Sequence, residues 1–237
     1  MLMLRPPPHV SGNRLLARLP LDEYGRLSTR LQLVNLKFKQ ILYEAQAPIE
    51  HAYFPIRVVL SAVIFMENGN AIEVATTGSE GMVGLPALFR AETSLTHVFV
   101  QIAGDALQMR ADTLKEEGTR EGPFRRLLIS YQSAFLAQVS QGVACNGLHT
   151  ITQRCCRWLL MTHDRVQGDS FLLTHELLAM MLGVRRASIS EVLRPLQEQG
   201  LIGSRRGKIA ILDRDRLEGC CCECYRSVED VFTRLLD

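Results

Sequence analysis

The sequence predicts an α+β chain: a β sandwich or barrel, then a long helix, then a C-terminal winged helix-turn-helix. Three observations predict it. The first half is a series of short β-branched and aromatic runs parted by turn material. The second half carries apolar residues at helical spacing. A basic hairpin directly follows two short helices joined by a glycine.

The β half rests on five runs: 36–43 (LKFKQILY), 50–56 (EHAYFPI), 58–65 (VVLSAVIF), 71–77 (AIEVATT) and 96–102 (THVFVQI). Turn-forming stretches at 67–70 (ENGN) and 78–81 (GSEG) separate them. Short strands at this spacing fit a sandwich or barrel. Residues 81–89 (GMVGLPALF) break the pattern with two glycines and a proline, which places a loop and a short helix between strands.

From Gly122 to about Gly147 only Pro123 interrupts a helical pattern. Phe124, Leu128, Tyr131, Phe135, Gln138, Gly142 and Cys145 alternate four- and three-residue steps, a heptad-like stripe with one polar member. The stripe has two readings: a helix packed on its own β domain, or the seam of a dimer. A helix this long rarely finds enough cover in a small domain. The seam is therefore preferred, formed by Phe124, Leu128, Tyr131, Phe135 and Gly142. A second helix follows at 149–166 and ends at the turn QGDS. The expected division is a sensor domain at 14–120, a connector helix at 121–147 and a DNA-binding unit at 148–237.

Thr174 is placed to cap the next helix, with Glu176 in its first turn, where a helix dipole favours negative charge. Leu177, Leu178, Met181 and Leu182 follow at helical spacing, and Gly183 permits a sharp turn. The second helix of the pair repeats Ile189, Val192, Leu193 and Leu196 at i, i+3, i+4 and i+7. Two helices joined by a glycine turn match a helix-turn-helix, whose second helix enters the major groove. Its start and outer face carry Arg185, Arg186, Ser188, Ser190, Glu191 and Arg194, the candidates to meet base edges. Two apolar runs then flank Arg205, Arg206, Gly207 and Lys208, the pattern of a wing. Thr174, Arg205, Arg206 and Lys208 are the candidates for the DNA backbone. Two features leave the second helix open: Pro195 lies inside it, and Ser188 to Glu191 repeats a capping-box pattern, so the helix either takes in Arg185 and Arg186 at its N-terminal end or starts at Ser188, with both arginines in the turn.

Charge points the same way. The 237 residues carry a net +2, and residues 1–120 balance twelve basic against twelve acidic side chains. Residues 185–208 carry six basic and two acidic, so this one segment exceeds the whole chain's surplus. Hydrophobic residues at 47% and charged ones at 22% are ordinary for a globular protein. No apolar run has the length to span a bilayer, and residues 1–10 lack a signal peptide's apolar core. A cytoplasmic protein without a membrane partner is expected. No nucleophile–base pattern, phosphate loop or carboxylate pair points to an enzyme.

The order of elements resembles the Crp/Fnr family of bacterial transcription regulators over nearly the whole chain. The resemblance is carried by LLTHELLAMMLGVRRASISEVLRPLQEQGLI (172–202) and SRRGKIAIL (204–212), and also by HAYFPI, EVATTGSEGMVGLP and CNGLHTITQRCCRWLLMTHDRV. It implies a jelly-roll-like β-roll as sensor, a dimerisation helix, a homodimer on a palindromic double-stranded DNA site, and RNA polymerase as a partner. Cyclic-nucleotide-binding members place a Glu after a Gly in the phosphate cassette and an Arg-Ser or Arg-Thr pair before the next strand. Here Gly84 is followed by Leu85, and the pair aligns with Leu95 and Thr96. A buried phosphate without those anchors would be uncompensated. A vestigial pocket, no cofactor and an unknown effector are expected. The family's N-terminal iron–sulfur cysteines are missing, and His51 and His97 have no supporting haem motif.

Seven cysteines fall only at 145, 155, 156 and 220, 221, 222 and 224, a distribution unlike a disulfide-stapled secreted domain. Cys145, His149 and Cys156 share one face if the helix runs through Gly147, but no metal site is expected, since three or four ligands must converge. Cys220 and Cys224 share one face at i, i+4 if they lie in a helix, so Cys220, Cys221, Cys222 and Cys224 are candidates either for a soft metal shared with a dimer mate or for reversible oxidation if their pKa values are lowered, against a default of helix packing. The competing function is a ligand, thiol or metal sensor whose helices serve dimerisation rather than DNA.

Overall fold

The computed structural model describes residues 12–89 and 93–236; the sequence reading of residues 1–10 lies outside them. After a short helix, α1 (Leu21–Ser28), seven strands build the N-terminal unit. They are β1 (Gln32–Leu36), β2 (Ile41–Tyr43), β3 (His51–Pro55), β4 (Val59–Phe65), β5 (Ala71–Thr77), β6 (His97–Ile102) and β7 (Gly104–Arg110). One sheet has the order β1-β7-β3 and the other β2-β6-β4-β5, with antiparallel pairing throughout. Strand β7 was not anticipated, and the run read at 36–43 divides: a turn with Lys39 at φ 64 parts β1 from β2. Val58, Val59, Leu60, Val63, Phe54, Val100 and Ala106 are wholly enclosed in and around these sheets.

Helix α2 (Ala111–Thr119) leads to α3 (Pro123–Leu148), which has proline in its first turn, where no backbone donor is lost. Its stripe does not face outward. Phe124, Leu128 and Tyr131 are at most 1% exposed, packed into the roll's core, and the Tyr131 hydroxyl donates to the Met82 carbonyl at 2.8 Å. Gln138 is buried too and donates to the Thr76 carbonyl at 2.9 Å, which explains the polar member of the stripe. Phe135 is half-buried between two clusters, and Gly142 lies over Val74. The seam expected at Phe124, Leu128, Tyr131, Phe135 and Gly142 is therefore corrected. The chain covers that face itself, with the roll and with the last helix, α8 (Cys224–Leu236).

Another face of α3 is left uncovered. Ile129, Leu136 and Val143 repeat every seven residues and are 47%, 63% and 71% exposed. Small or polar residues, Ser133, Ser140, Ala144 and Gly147, stand among them.

Helix α3 ends at His149, and Thr150 opens α4 (Ile151–His163) with a capping box to Gln153. The C-terminal unit continues with β8 (Ser170–Leu172), α5 (His175–Leu182), α6 (Arg186–Glu198), β9 (Ile202–Arg205), β10 (Lys208–Ile211) and α7 (Arg214–Gly219). Its sheet has the order β8-β10-β9. Among the described residues no helix is long and apolar enough to cross a membrane.

The two units meet at β5. Trp158 Nε1 donates to Glu73 Oε2 at 2.6 Å, and the other Glu73 oxygen has no partner among the described residues. Burial pushes the Glu73 carboxyl from 4.5 up to about 7, against the opposing pull of Ser61, Trp158, Arg157 and Arg165. A raised folded pKa means that the native chain holds this proton more tightly than the unfolded chain. The stabilisation is complete below the unfolded value and is lost as pH rises through about 7. Wild type and Glu73→Gln should therefore melt alike near about pH 5, with wild type falling below the variant by about pH 8. Parallel melting curves across that range would show that Glu73 is not ionising at this joint.

Candidate nucleic-acid interface

Helix α5 is capped by Thr174, whose Oγ1 accepts from the Leu177 amide at 3.2 Å. It ends at Gly183, which is left-handed at φ 62. A Cβ there would come within 2.9 Å of the Ile72 side chain on β5, so the turn needs glycine for its backbone and for its approach to the roll. Helix α6 begins at Arg186, with Arg185 as its N-cap residue, which settles the open start. It continues through Pro195. That residue is exposed, so the carbonyl four residues back, deprived of its helical donor, faces water.

The apolar stripe of α6 is the anchor. Ile189, Val192, Leu193 and Leu196 are buried in one cluster with Leu178, Leu182, Leu159 and Phe171. Each such burial contributes about 1.5–3 kcal/mol. With that face fixed, Arg185, Arg186, Ser190, Glu191 and Arg194 must face solvent, and all five are exposed; Ser188 is half-buried at the edge. In the free protein Arg186 Nε pairs with Glu176 Oε1 at 2.7 Å, and Ser190 Oγ lies 3.1 Å from His175 Nδ1. Arg194 and Glu198 stand 4.0 Å apart. The pairs involving Arg186 and Arg194 are more than half exposed, so they hold the arginines weakly and leave them exchangeable. Glu176 and His175 are therefore part of this surface. Sequence spacing points to the dipole role of Glu176 but not to this one, nor to His175, since the contacts cross from one helix to the other.

The wing is a tight hairpin. Arg205 pairs with Lys208 across a two-residue loop, Arg206 and Gly207, at φ 51 and φ 74. Positive φ at both loop residues is the geometry that matches the twist of the flanking strands. Arg205, Arg206 and Lys208 are all exposed. The wing tip lies against the start of α5: the Leu173 amide donates to the Gly207 carbonyl at 2.8 Å, and Gly207 borders Thr174. These contacts run from the wing through Thr174, His175 and Glu176 to Ser190 and Arg186. The surface they join carries six exposed basic side chains, Arg185, Arg186, Arg194, Arg205, Arg206 and Lys208, against three exposed acidic ones, Glu176, Glu191 and Glu198.

Of the roll's cassette positions, Gly84, Leu85 and Leu95 are apolar and only Thr96 keeps a hydroxyl. Gly84, at φ 96, is pressed against Ala52 and Tyr43, and Leu85 is buried. Leu95 is 75% exposed, so it does not line a pocket with them, while Ser94 is tied to the Thr96 carbonyl at 2.7 Å. A separate small cavity lies between β5, α3 and α4, bordered by Glu73, Thr76, Gln138, Arg157 and Trp158.

The cysteines separate into two groups. Cys155 and Cys156 are enclosed in the core of the helix-turn-helix unit, with Cys220 and Cys221 packed against it. Burial pushes the Cys156 thiol up to about 12 and raises Cys155 and Cys221 further. Burial raises Cys224 as well, so the lowered pKa required for a reactive thiol is absent at both Cys221 and Cys224. The grouping of Cys145 with His149 and Cys156 is also corrected, because α3 breaks at His149. Cys145 and His149 stand instead with Cys222 and Cys224, and their candidate donor atoms all lie within 4.8 Å of one another. The expectation of no converging ligand set is overturned by contacts between residues some 75 positions apart.

Comparison with known proteins agrees with this geometry. Residues 153–220 match the family model described as the Crp-like helix-turn-helix domain. No curated protein matches the chain at a significant level. Among solved structures, a transcriptional regulator of the Crp/Fnr family from Eubacterium rectale is 21% identical, covers 85% of this chain and 94% of its own, and superposes with a TM-score of 0.68. FixK2 from Bradyrhizobium japonicum is 17% identical over 81% of this chain and 98% of its own, with a TM-score of 0.70. A Crp/Fnr-family regulator from Thermus thermophilus is 20% identical over 80% and 97%, with a TM-score of 0.64. At these identities the likeness shows a shared fold.

Proposed function

The chain carries a Crp-like helix-turn-helix domain on the fold of Crp/Fnr regulators, and from that premise we propose that it is a sequence-specific, DNA-binding transcription regulator acting as a homodimer. One observation carries the reading. The exposed face of α6 and the cationic wing meet at the N-terminus of α5 in a single surface, opposite a fully buried apolar stripe. Arg185, Arg186, Ser190, Glu191 and Arg194 read base edges, with Ser188 at the margin. Thr174, Arg205, Arg206 and Lys208 hold phosphates and set the register. RNA polymerase is the partner through which bound DNA would be read out. No enzymatic step is assigned to any residue.

Dimerisation falls to the uncovered face of α3. Ile129, Leu136 and Val143 sit at one heptad position, and the small residues beside them permit a close helix–helix approach. Two copies joined there would present two α6 helices to successive major grooves about 34 Å apart, on a palindromic site. The effector is not cyclic AMP bound in the usual way. Leu85 and Leu95 offer a phosphate neither a charge nor a hydrogen bond.

Four measurements test this. Selection from a random DNA pool should return a palindrome. On that site Arg186→Ala should cost about 1–3 kcal/mol and relax one position, whereas Arg205→Ala should weaken specific and random DNA alike and lower the salt slope by about one. Equal losses on both DNAs for Arg186→Ala would remove it from base reading. Leu136→Glu, at an exposed site, should leave the melting temperature nearly unchanged and convert a dimer to a monomer in sedimentation. A dimer surviving that change would place the seam elsewhere. Calorimetry with cyclic AMP should detect no binding, and a micromolar or tighter isotherm would reverse that assignment.

A further inference from the structure

Cys145, His149, Cys222 and Cys224 come from separate parts of the chain. Cys145 is in the last turn of α3, and His149 is the C-cap residue of that helix. Cys222 and Cys224 stand where α7 gives way to α8. Cys145 Sγ and Cys222 Sγ are 3.6 Å apart, and Cys224 Sγ lies 3.5 Å from His149 Nδ1. Three of the four residues are buried and the fourth is half-buried.

These spacings have a meaning. Metal–sulfur bonds of about 2.3 Å and metal–nitrogen bonds of about 2.0–2.1 Å, set tetrahedrally, put neighbouring donors about 3.5–3.8 Å apart. Both close pairs already stand at that edge length. A disulfide would draw two sulfurs to about 2.05 Å, and all these cysteines are free. A multi-iron cluster holds its ligands around its outside, spread more widely than a single ion's shell.

The surroundings fit as well. His149 Nε2 faces Glu223 Oε2 at 3.3 Å, which leaves Nδ1 for the sulfur side, the arrangement in which a carboxylate orients a ligating imidazole. Gln141 Nε2 donates to Cys224 Sγ at 3.0 Å. Three thiolates and a divalent ion sum to one negative charge. The buried Arg157 acts on Cys145 electrostatically and has an unpartnered Nε among the described residues; Arg154 is close to the same thiol.

We propose that Cys145, His149, Cys222 and Cys224 bind one Zn²⁺ ion in a closed tetrahedral Cys₃His site. Three thiols and a neutral imidazole take up the ion and release three protons to solvent. Four protein donors leave no position for a substrate, so the site is structural. The ion fastens the start of α8 to the end of α3, at the joint where the helix-turn-helix unit begins. It fixes that unit relative to the dimer face.

Metal analysis of the full-length chain, grown with zinc and dialysed under reductant, should find one zinc per chain. After chelation, Co²⁺ should give the intense visible bands of a tetrahedral site and a thiolate charge-transfer band. Cys224→Ser and His149→Asn should each lower zinc affinity by at least about tenfold and alter the cobalt spectrum, and Glu223→Gln should weaken binding about tenfold. Cys220→Ser should change neither. Because Glu223 is exposed, its variant keeps the test open if a ligand variant does not fold. Three results would overturn the site: no retained zinc and no cobalt bands; affinity unchanged in His149→Asn, Cys224→Ser and Glu223→Gln; or a Cys145–Cys222 disulfide in metal-free protein prepared anaerobically. None of these readouts involves DNA, so the site can fail while the DNA-binding reading stands, and the reverse.

Discussion

Helix α3 is apolar on more than one face, and its own chain covers only part of it. Phe124, Leu128 and Tyr131 are enclosed by the roll, while α8 lies along the same helix and brings Phe232 within 6.4 Å of Tyr131. That packing removes a large aromatic and aliphatic surface from water and fixes the rotation of α3 about its axis. Every other placement follows from that rotation. It turns Ile129, Leu136 and Val143 outward, it brings Gln138 to the Thr76 carbonyl, and it aims Cys145 at the start of α8. A rotation of one residue step, about 100° at 3.6 residues per turn, would bury different side chains and break all three.

The same helix connects the roll to the DNA-facing surface through polar contacts with few alternatives. Arg154 on α4 bonds Asn146 of α3 at 3.1 Å and also the Leu182 carbonyl at the end of α5. Arg165 bonds Glu80 of the roll at 2.8 Å. With Glu73–Trp158 and the close approach of Gly183 to Ile72, the helix-turn-helix is tied to both the roll and the connector. Buried, charge-assisted contacts of this kind cost several kcal/mol to break singly. Displacing the unit from the roll or the connector therefore breaks several of these contacts at once. A ligand bound by the roll would shift this unit only by favouring one set of contacts over another, because a ligand that binds two arrangements equally shifts nothing.

What the sequence disclosed follows the range of the interactions involved. The α6 stripe at Ile189, Val192, Leu193 and Leu196, the Thr174 cap and the wing are local patterns, readable because helix period and hairpin chemistry repeat over a few residues. Strand β7 was hidden because GDALQMR opens with turn-favouring residues and alternates weakly, although it pairs with both β1 and β3. The α3 stripe is legible as a stripe, but not the side it faces. Two heptad series run along that helix, and periodicity does not say which one its own domain covers. The strongest apolar series went to the nearest core. The Cys₃His grouping was invisible for a plainer reason, since Cys145 and Cys222 are brought together only when α8 docks.

The docking of α8 also bears on what the buried thiols can do. Burial pushes the Cys145 thiol up to about 12 and raises Cys224 as well, so without a cation these two side chains pack as neutral, small apolar groups. In that state the joint rests on a network at α8's first turn, where Arg214 bonds Asp164 at 2.7 Å and the Tyr225 hydroxyl at 2.6 Å. A cation placed among the thiols reverses the electrostatics: thiolates become the favoured form, and Arg154 and Arg157 change from cations facing neutral sulfur to cations facing negative charge. The proposed site would thus give the four side chains an ionic state beside the metal-free one, and α3 and the start of α8 already hold two of the donor pairs at 3.6 and 3.5 Å, ready for an ion to fasten.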